Sequence, residues 1–178
     1  MIGSVTEQTR FAGYPERIRY GTAHPDVVYV RLAGWYAVHG TVDDGAATVL
    51  QDDAGEQVVV LEGEPPDDAA AIPVYAMEGG GPPAVPTGLV FVRFADGLEA
   101  ASYRGTFLHA GYEIVKTLAY APNAVWIRAA SGQLAQALAN LRIIETFPGV
   151  ENIEPQFLIE AQRRGRFGSH MPEGRKSL

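Results

Sequence analysis

The side chains in this sequence that could carry chemistry are few and scattered. The histidines are His24, His39, His109 and His170, and there is no cysteine. None of the four stands beside Asp or Glu at the spacing by which one segment assembles a metal site, and without thiolates the choice of ligands narrows further. Ser131, Asp96 and His109 supply the residue types of a hydrolytic triad. A structural role explains two of them at once, because Ser131 and Asp96 each precede a helically patterned stretch whose free amides a side-chain oxygen can cap. The pairs Asp43-Asp44, Asp52-Asp53 and Asp67-Asp68 fall in apparent loops, but they lack the alternating oxygen spacing of a calcium-binding loop and read as solvated turns. Gly79-Gly80-Gly81 follows Glu78 without the strand, helix and lysine that make a phosphate-binding loop. The expectation is a chain with no catalytic residue, no cofactor and no metal, neither protease nor oxidoreductase, that acts by binding.

Length and composition bound what can position a binding surface. With 178 residues and 47% hydrophobic content, the chain has material for one medium domain or two small ones. Its formal net charge of -7 does not suit a nucleic-acid binder, which needs a basic footprint to displace counterions. Arg163, Arg164, Arg166, Arg175 and Lys176 stand against Glu173 in the last segment, so the body is acidic and the tail basic. The start, Met1 to Glu7, shows no basic region followed by an apolar run, and no stretch is long enough for a membrane span. No membrane partner is expected; a secreted or periplasmic location requires a removed signal, and otherwise the cytoplasm is expected. Self-association is left open. Gly168-Ser169-His170-Met171 resembles the scar of an expression vector.

Residues 1–76 read as a small β-rich module. Val27–Leu32 and Trp35–His39 are two candidate strands; Ala47–Leu50 and Gln57–Leu61 flank Asp52-Asp53-Ala54-Gly55, a hairpin loop with glycine where positive φ is needed. Residues 77–88, ending in Pro82-Pro83-Ala84-Val85-Pro86-Thr87-Gly88, read as a Gly/Pro linker. Beyond it, Leu89–Phe94 is a strand with Val90, Val92 and Phe94 on one face and Leu89, Phe91 and Arg93 on the other. A helix is expected after Asp96, with Glu99 completing a capping box. Glu113–Leu118 and Ala124–Arg128 form a hairpin, and a second helix begins at Ser131 with Leu134, Leu138, Leu141 and Ile144 at helical spacing. Asn152–Ile159 is the last strand. The fold class is α+β, a β-α-β-β-α-β ferredoxin-like sandwich over residues 89–162 with an antiparallel sheet, preceded by the β-rich module and followed by a basic tail at 163–178.

Three runs in this C-terminal part carry a family resemblance. Ala119-Tyr120-Ala121-Pro122-Asn123-Ala124-Val125-Trp126-Ile127-Arg128-Ala129-Ala130, then Ala135–Leu141, then Phe147-Pro148-Gly149-Val150-Glu151-Asn152-Ile153-Glu154-Pro155-Gln156 resemble the propeptides of bacterial subtilisin-like serine proteases. The resemblance spans about residues 89–162 and leaves residues 1–80 unaccounted for. It implies an intramolecular chaperone that becomes an active-site-directed inhibitor, with its sheet against surface helices of the protease and its C-terminal extension in the substrate cleft. Leu89, Phe91, Trp126, Gln156 and Leu158 are the sheet-face contacts it implies, and Ala161, Gln162, Arg163 and Arg164 the cleft contacts. For Trp126 the alternative is a place in the helix-facing core. The chain then reads as an excised prodomain pair or a freestanding inhibitor, and the competing reading is a noncatalytic protein-interaction module.

Overall fold

The structure is a computed structural model that describes residues 10–24, 26–40 and 47–160. The expected cleft contacts 161–164 and the basic tail lie outside these residues. The strands are β1 (Arg17–Arg19), β2 (Val28–His39), β3 (Thr48–Gln51), β4 (Gln57–Glu62), β5 (Ile72–Met77), β6 (Ala84–Phe94), β7 (Tyr112–Leu118), β8 (Ala121–Ala129) and β9 (Val150–Ile159). A 3-10 turn at Ala100–Tyr103 leads into α1 (Arg104–His109), and α2 (Leu134–Ala139) and α3 (Leu141–Glu145) precede β9. The nine strands form one sheet whose pairings are all antiparallel. The fold is α+β, dominated by its sheet.

Several local expectations change. The two strands expected over 27–39 are one strand, β2, whose first half pairs with β1 and β5 and whose second half pairs with β4 and β5, with a register shift between Arg31 and Tyr36. The 52–55 hairpin forms: Asp52 Oδ1 accepts from the amides of Ala54 and Glu56 at 2.9 and 2.8 Å, and Gly55 has φ 84°. Of the expected linker 77–88, Met77 ends β5 and Ala84–Gly88 begin β6. Proline and glycine fit there because the β6–β9 register shifts between Pro86 and Val90, a bulge that does not need the missing donor and uses Gly88 at φ 83°.

The helices are shorter than the patterning implies. Asp96 does not cap: its Oδ1 accepts from Asn123 Nδ2 at 3.2 Å, and the helical segment starts after Glu99 with no side-chain cap. Ser131 Oγ accepts from the Gln133 amide at 3.2 Å and donates to Gln136 Oε1 at 2.6 Å, but the N-cap position of α2 is Gln133. Asn140, at φ -101° and ψ 10°, separates α2 from α3.

Three apolar clusters explain that division. Val90, Val92 and Phe94 of β6, Val125 and Ile127 of β8 and Ile153 of β9 pack with Ala100, Phe107, Ala137 and Ile144. Both helical connections therefore bury their inner sides against the same sheet face. A second cluster joins Ile18, Tyr29, Tyr75 and Ala84 to Leu138, with Leu134 and Phe157 packed against it. The apolar stripe read as one helix-to-sheet contact is thus split: Leu134 and Leu138 turn to the N-terminal strands, Ile144 enters the C-terminal core, and Leu141 borders both. The third cluster lies among β2–β5, with Ala37, Leu50, Val58, Val60 and Val74 meeting Val85 of β6 and Leu158 of β9.

Two buried phenols pin this arrangement. Tyr75 donates to the Pro15 carbonyl and Tyr112 to the Ala137 carbonyl, both at 2.8 Å, and burial pushes each phenol far above its ordinary pKa, so both remain donors. Because Leu138 is buried where α2 meets β1, β2 and β5, Leu138→Ala is expected to lower stability by about 2–5 kcal/mol through lost burial and a residual cavity. Chemical denaturation measures it, and a loss below about 0.5 kcal/mol would show that the contact does not hold the two parts together.

Candidate functional site

The face of the sheet away from the helices holds Phe91 and Trp126, two of the expected sheet-face contacts. Along β6, Val90, Val92 and Phe94 enter the helix-covered core, so Leu89, Phe91 and Arg93 alternate onto the reverse face. Phe91 pairs with Trp126 across β6 and β8, their ring centroids 5.3 Å apart at 57°. Trp126 is therefore not part of the helix-facing core. Glu154 stands opposite Phe91 on β9, and Lys116 opposite Trp126 on β7. Arg128 meets Glu113 at 2.6 Å and Arg93 meets Glu151 at 3.5 Å. The result is a half-buried aromatic pair edged by charged groups, an arrangement suited to recognising a protein surface.

The other implied sheet contacts are engaged within the chain. Gln156 Oε1 accepts from Thr87 Oγ1 at 2.9 Å, and its Nε2 donates to Asp53 Oδ2, at the tip of the β3–β4 hairpin, at 3.2 Å. Leu158 packs against the β2–β5 cluster. The N-terminal strands thus cover one end of the reverse face and leave Phe91 and Trp126 at the other. Leu89 is half-buried at the edge of a cleft beside Leu134 and Arg128, and its amide donates to Thr87 Oγ1 at 3.2 Å. Strand β9 ends with Ile159 opposite Ala84, which itself pairs with Tyr75.

One structural residue carried no signal in the sequence beyond its place in the family-like run. Asn152 is the buried polar residue among those described. Its Oδ1 accepts from the Thr22 and Ala23 amides at 3.1 and 3.2 Å, and its Nδ2 donates to Glu154 Oε1 at 2.6 Å. The segment entering β2 is thereby tied to the start of β9.

The structure also brings together side chains that sequence spacing kept apart. His39 Nδ1 lies 3.9 Å from Glu56 Oε2, and with Asp52 they form a group whose ligand atoms lie within 4.8 Å of one another. Spacing along the sequence carries no sign of this meeting: the β2–β4 ladder sets His39 opposite Val58, two residues beyond Glu56. One imidazole and two carboxylates form a donor set a divalent ion accepts. Asp52 Oδ1, however, already accepts two backbone amides, so the hairpin accounts for its position without an ion. Ser131 and Asp96 are held in the turns described above, and among the described residues neither hydrogen-bonds to His109.

The chain matches no protein-family model, no curated protein and no solved structure. Function therefore rests on the residues themselves. Asn152→Ala would leave the Thr22 and Ala23 amides without their acceptor, and a loss of about 1–3 kcal/mol is expected. Hydrogen exchange at those two amides checks the cause: protection unchanged from that of the unaltered protein would show that Asn152 does not hold the segment.

Proposed function

We propose that residues 89–162 form a ferredoxin-like β-α-β-β-α-β unit that inhibits a subtilisin-like serine protease and assists its folding, in the manner of a prodomain. The observation that carries this reading is the strand order β9-β6-β8-β7 with both helical connections in one core, which leaves the aromatic pair Phe91–Trp126 on the opposite face. This order, with two crossovers covering one side, is what the β-α-β-β-α-β sequence of elements and the propeptide resemblance both require. In this reading the chain supplies no catalytic group. A sheet face with two aromatic anchors gives the protease surface something to pack on, while Ala161, Gln162, Arg163 and Arg164 extend as a strand into the substrate cleft. Anchoring by the folded unit lowers the ordering cost that weakens a free peptide.

The intrachain contacts of Gln156 and Leu158 narrow the sheet-face contact to Leu89, Phe91 and Trp126. The same contacts favour the second reading, a noncatalytic interaction module, because a propeptide has no need of N-terminal strands resting on its binding face. Titration of the chain against a panel of subtilisin-like enzymes, followed by peptide hydrolysis, separates the two. Phe91→Ala and Trp126→Ala are each expected to weaken inhibition by about tenfold or more. Truncation after Glu160 is expected to remove most inhibition with the unfolding curve unchanged. Full inhibition by the truncated chain would sink the cleft-binding part, and no inhibition of any enzyme by the intact chain would leave the interaction module.

A further inference from the structure

On the helix-covered side, a cleft of about 390 Å³ opens between the β1–β2 edge and the α2–α3 pair. Its volume lies within the roughly 300–1,000 Å³ typical of small-molecule sites. Val28, Leu138, Leu141 and Ile153 give it apolar walls. Its polar lining is mostly cationic. Arg17 and Arg19 of β1 and Arg142 of α3 are among the residues that line it.

The pairing of these arginines sets them apart. Both nitrogens of the Arg17 fork are occupied by Glu78, at 2.6 and 2.7 Å. Arg10, Arg31, Arg93 and Arg128 each meet a carboxylate as well. Arg19 and Arg142 meet none among the described residues, although the chain is acidic overall. Arg104 shares that property but lies outside the cleft. Glu145 is the acid in the cleft lining, so one carboxylate stands against two guanidiniums without partners. Both line the cleft and are exposed, and an anion seated between two such like charges is attracted to both. A planar guanidinium matches a carboxylate through two parallel hydrogen bonds, and the apolar walls suit a short hydrocarbon body.

We propose that this cleft binds a small amphipathic carboxylate, its charged end held by Arg19 and Arg142 and its apolar body packed on Val28, Leu141 and Ile153. The site lies across the sheet from Phe91 and Trp126 and stands independently of the inhibitor reading. Two sources present this chemistry, a medium-chain fatty acid and the C-terminal carboxylate of a short apolar peptide. Calorimetric titration of the full chain with octanoate and with N-acetyl-leucyl-leucine distinguishes them, acetate testing the charge alone and octanol the apolar body alone. Saturable binding of at least one of the long carboxylates, about tenfold or more tighter than acetate or octanol, is expected. Arg19→Ala and Arg142→Ala should each weaken it by about tenfold, and Arg104→Ala should leave it unchanged. In the unaltered chain, the bound carboxylate should shift the methyl resonances of Val28, Leu141 and Ile153, a readout that needs no variant. No saturable binding up to about 10 mM, octanol binding as tightly as octanoate, full affinity in the Arg19→Ala/Arg142→Ala double variant, or methyl shifts confined to other regions would each overturn the proposal.

Discussion

The ladder between β6 and β9 is the contact on which the rest of the molecule is arranged. It runs from Ala84 opposite Ile159 to Phe94 opposite Val150, and it passes through all three apolar clusters. Its two faces have different fates. On one, Val90, Val92, Phe94 and Ile153 receive the helical connections, with Ala84 and Phe157 continuing the same face under the tyrosines. On the other, Val85 and Leu158 disappear beneath β2–β5, whereas Phe91 remains beside Trp126. Alternation along two long strands, interrupted by the shifts between Pro86 and Val90 and between Arg93 and Phe94, creates this division, because a residue that faces the helices places its neighbours on the reverse side.

Hydrophobic contact does not act alone at the junction. The Tyr75 phenol, the Asn152 amide and the Arg17–Glu78 pair each join chain segments about sixty residues or more apart. Their environments differ in what they demand. Asn152 is buried, so loss of its partners would strand polar groups away from water, while the Arg17–Glu78 pair is exposed and contributes registration more than stability. The hydrogen bond from Arg17 lowers the Glu78 carboxyl pKa below its ordinary value. The stabilisation from this pair is therefore present above the unfolded carboxyl pKa and is lost as pH falls through the folded one.

Parts of the fold were legible where their signals are local. The alternation Val90, Val92, Phe94 identifies a strand and its inner face from spacing alone, and Asp52 to Gly55 identifies a tight turn from backbone chemistry. Residues whose roles depend on partners distant in sequence were harder to read. Pro86 and Gly88 look like breakers until β9 supplies a bulge to receive them, and Leu138 looks like part of one stripe until Ile18 and Tyr29 arrive from the other end of the chain. Asp96 reads as a helix cap, but the helical segment begins only after Glu99 and the Asp96 carboxylate meets Asn123 instead. For the binding face, Phe91 and Trp126 could be chosen by alternation, but the engagement of Gln156 by Asp53 required knowing where the hairpin tip lies. His39 and Glu56 were separated by the same blindness to ladder pairing.

The ladder also has a consequence for the order in which the chain can mature. Phe157 and Leu158 belong to clusters built mostly from the N-terminal half of the chain with Leu134, Leu138 and Leu141, yet they come from the last described strand. During vectorial synthesis, β2–β5 can pair among themselves, but their apolar interior stays open toward water until β9 has emerged and inserted alongside β6. Such an interior cannot reach full cooperativity early, since its closing contacts span a long stretch of intervening chain and carry the corresponding loop entropy. Until then Tyr29 lacks the Phe157 ring that stacks on it and Tyr75 lacks the edge contact of the same ring, so the growing chain exposes apolar surface. Pairing of β9 with β6 closes both clusters at once.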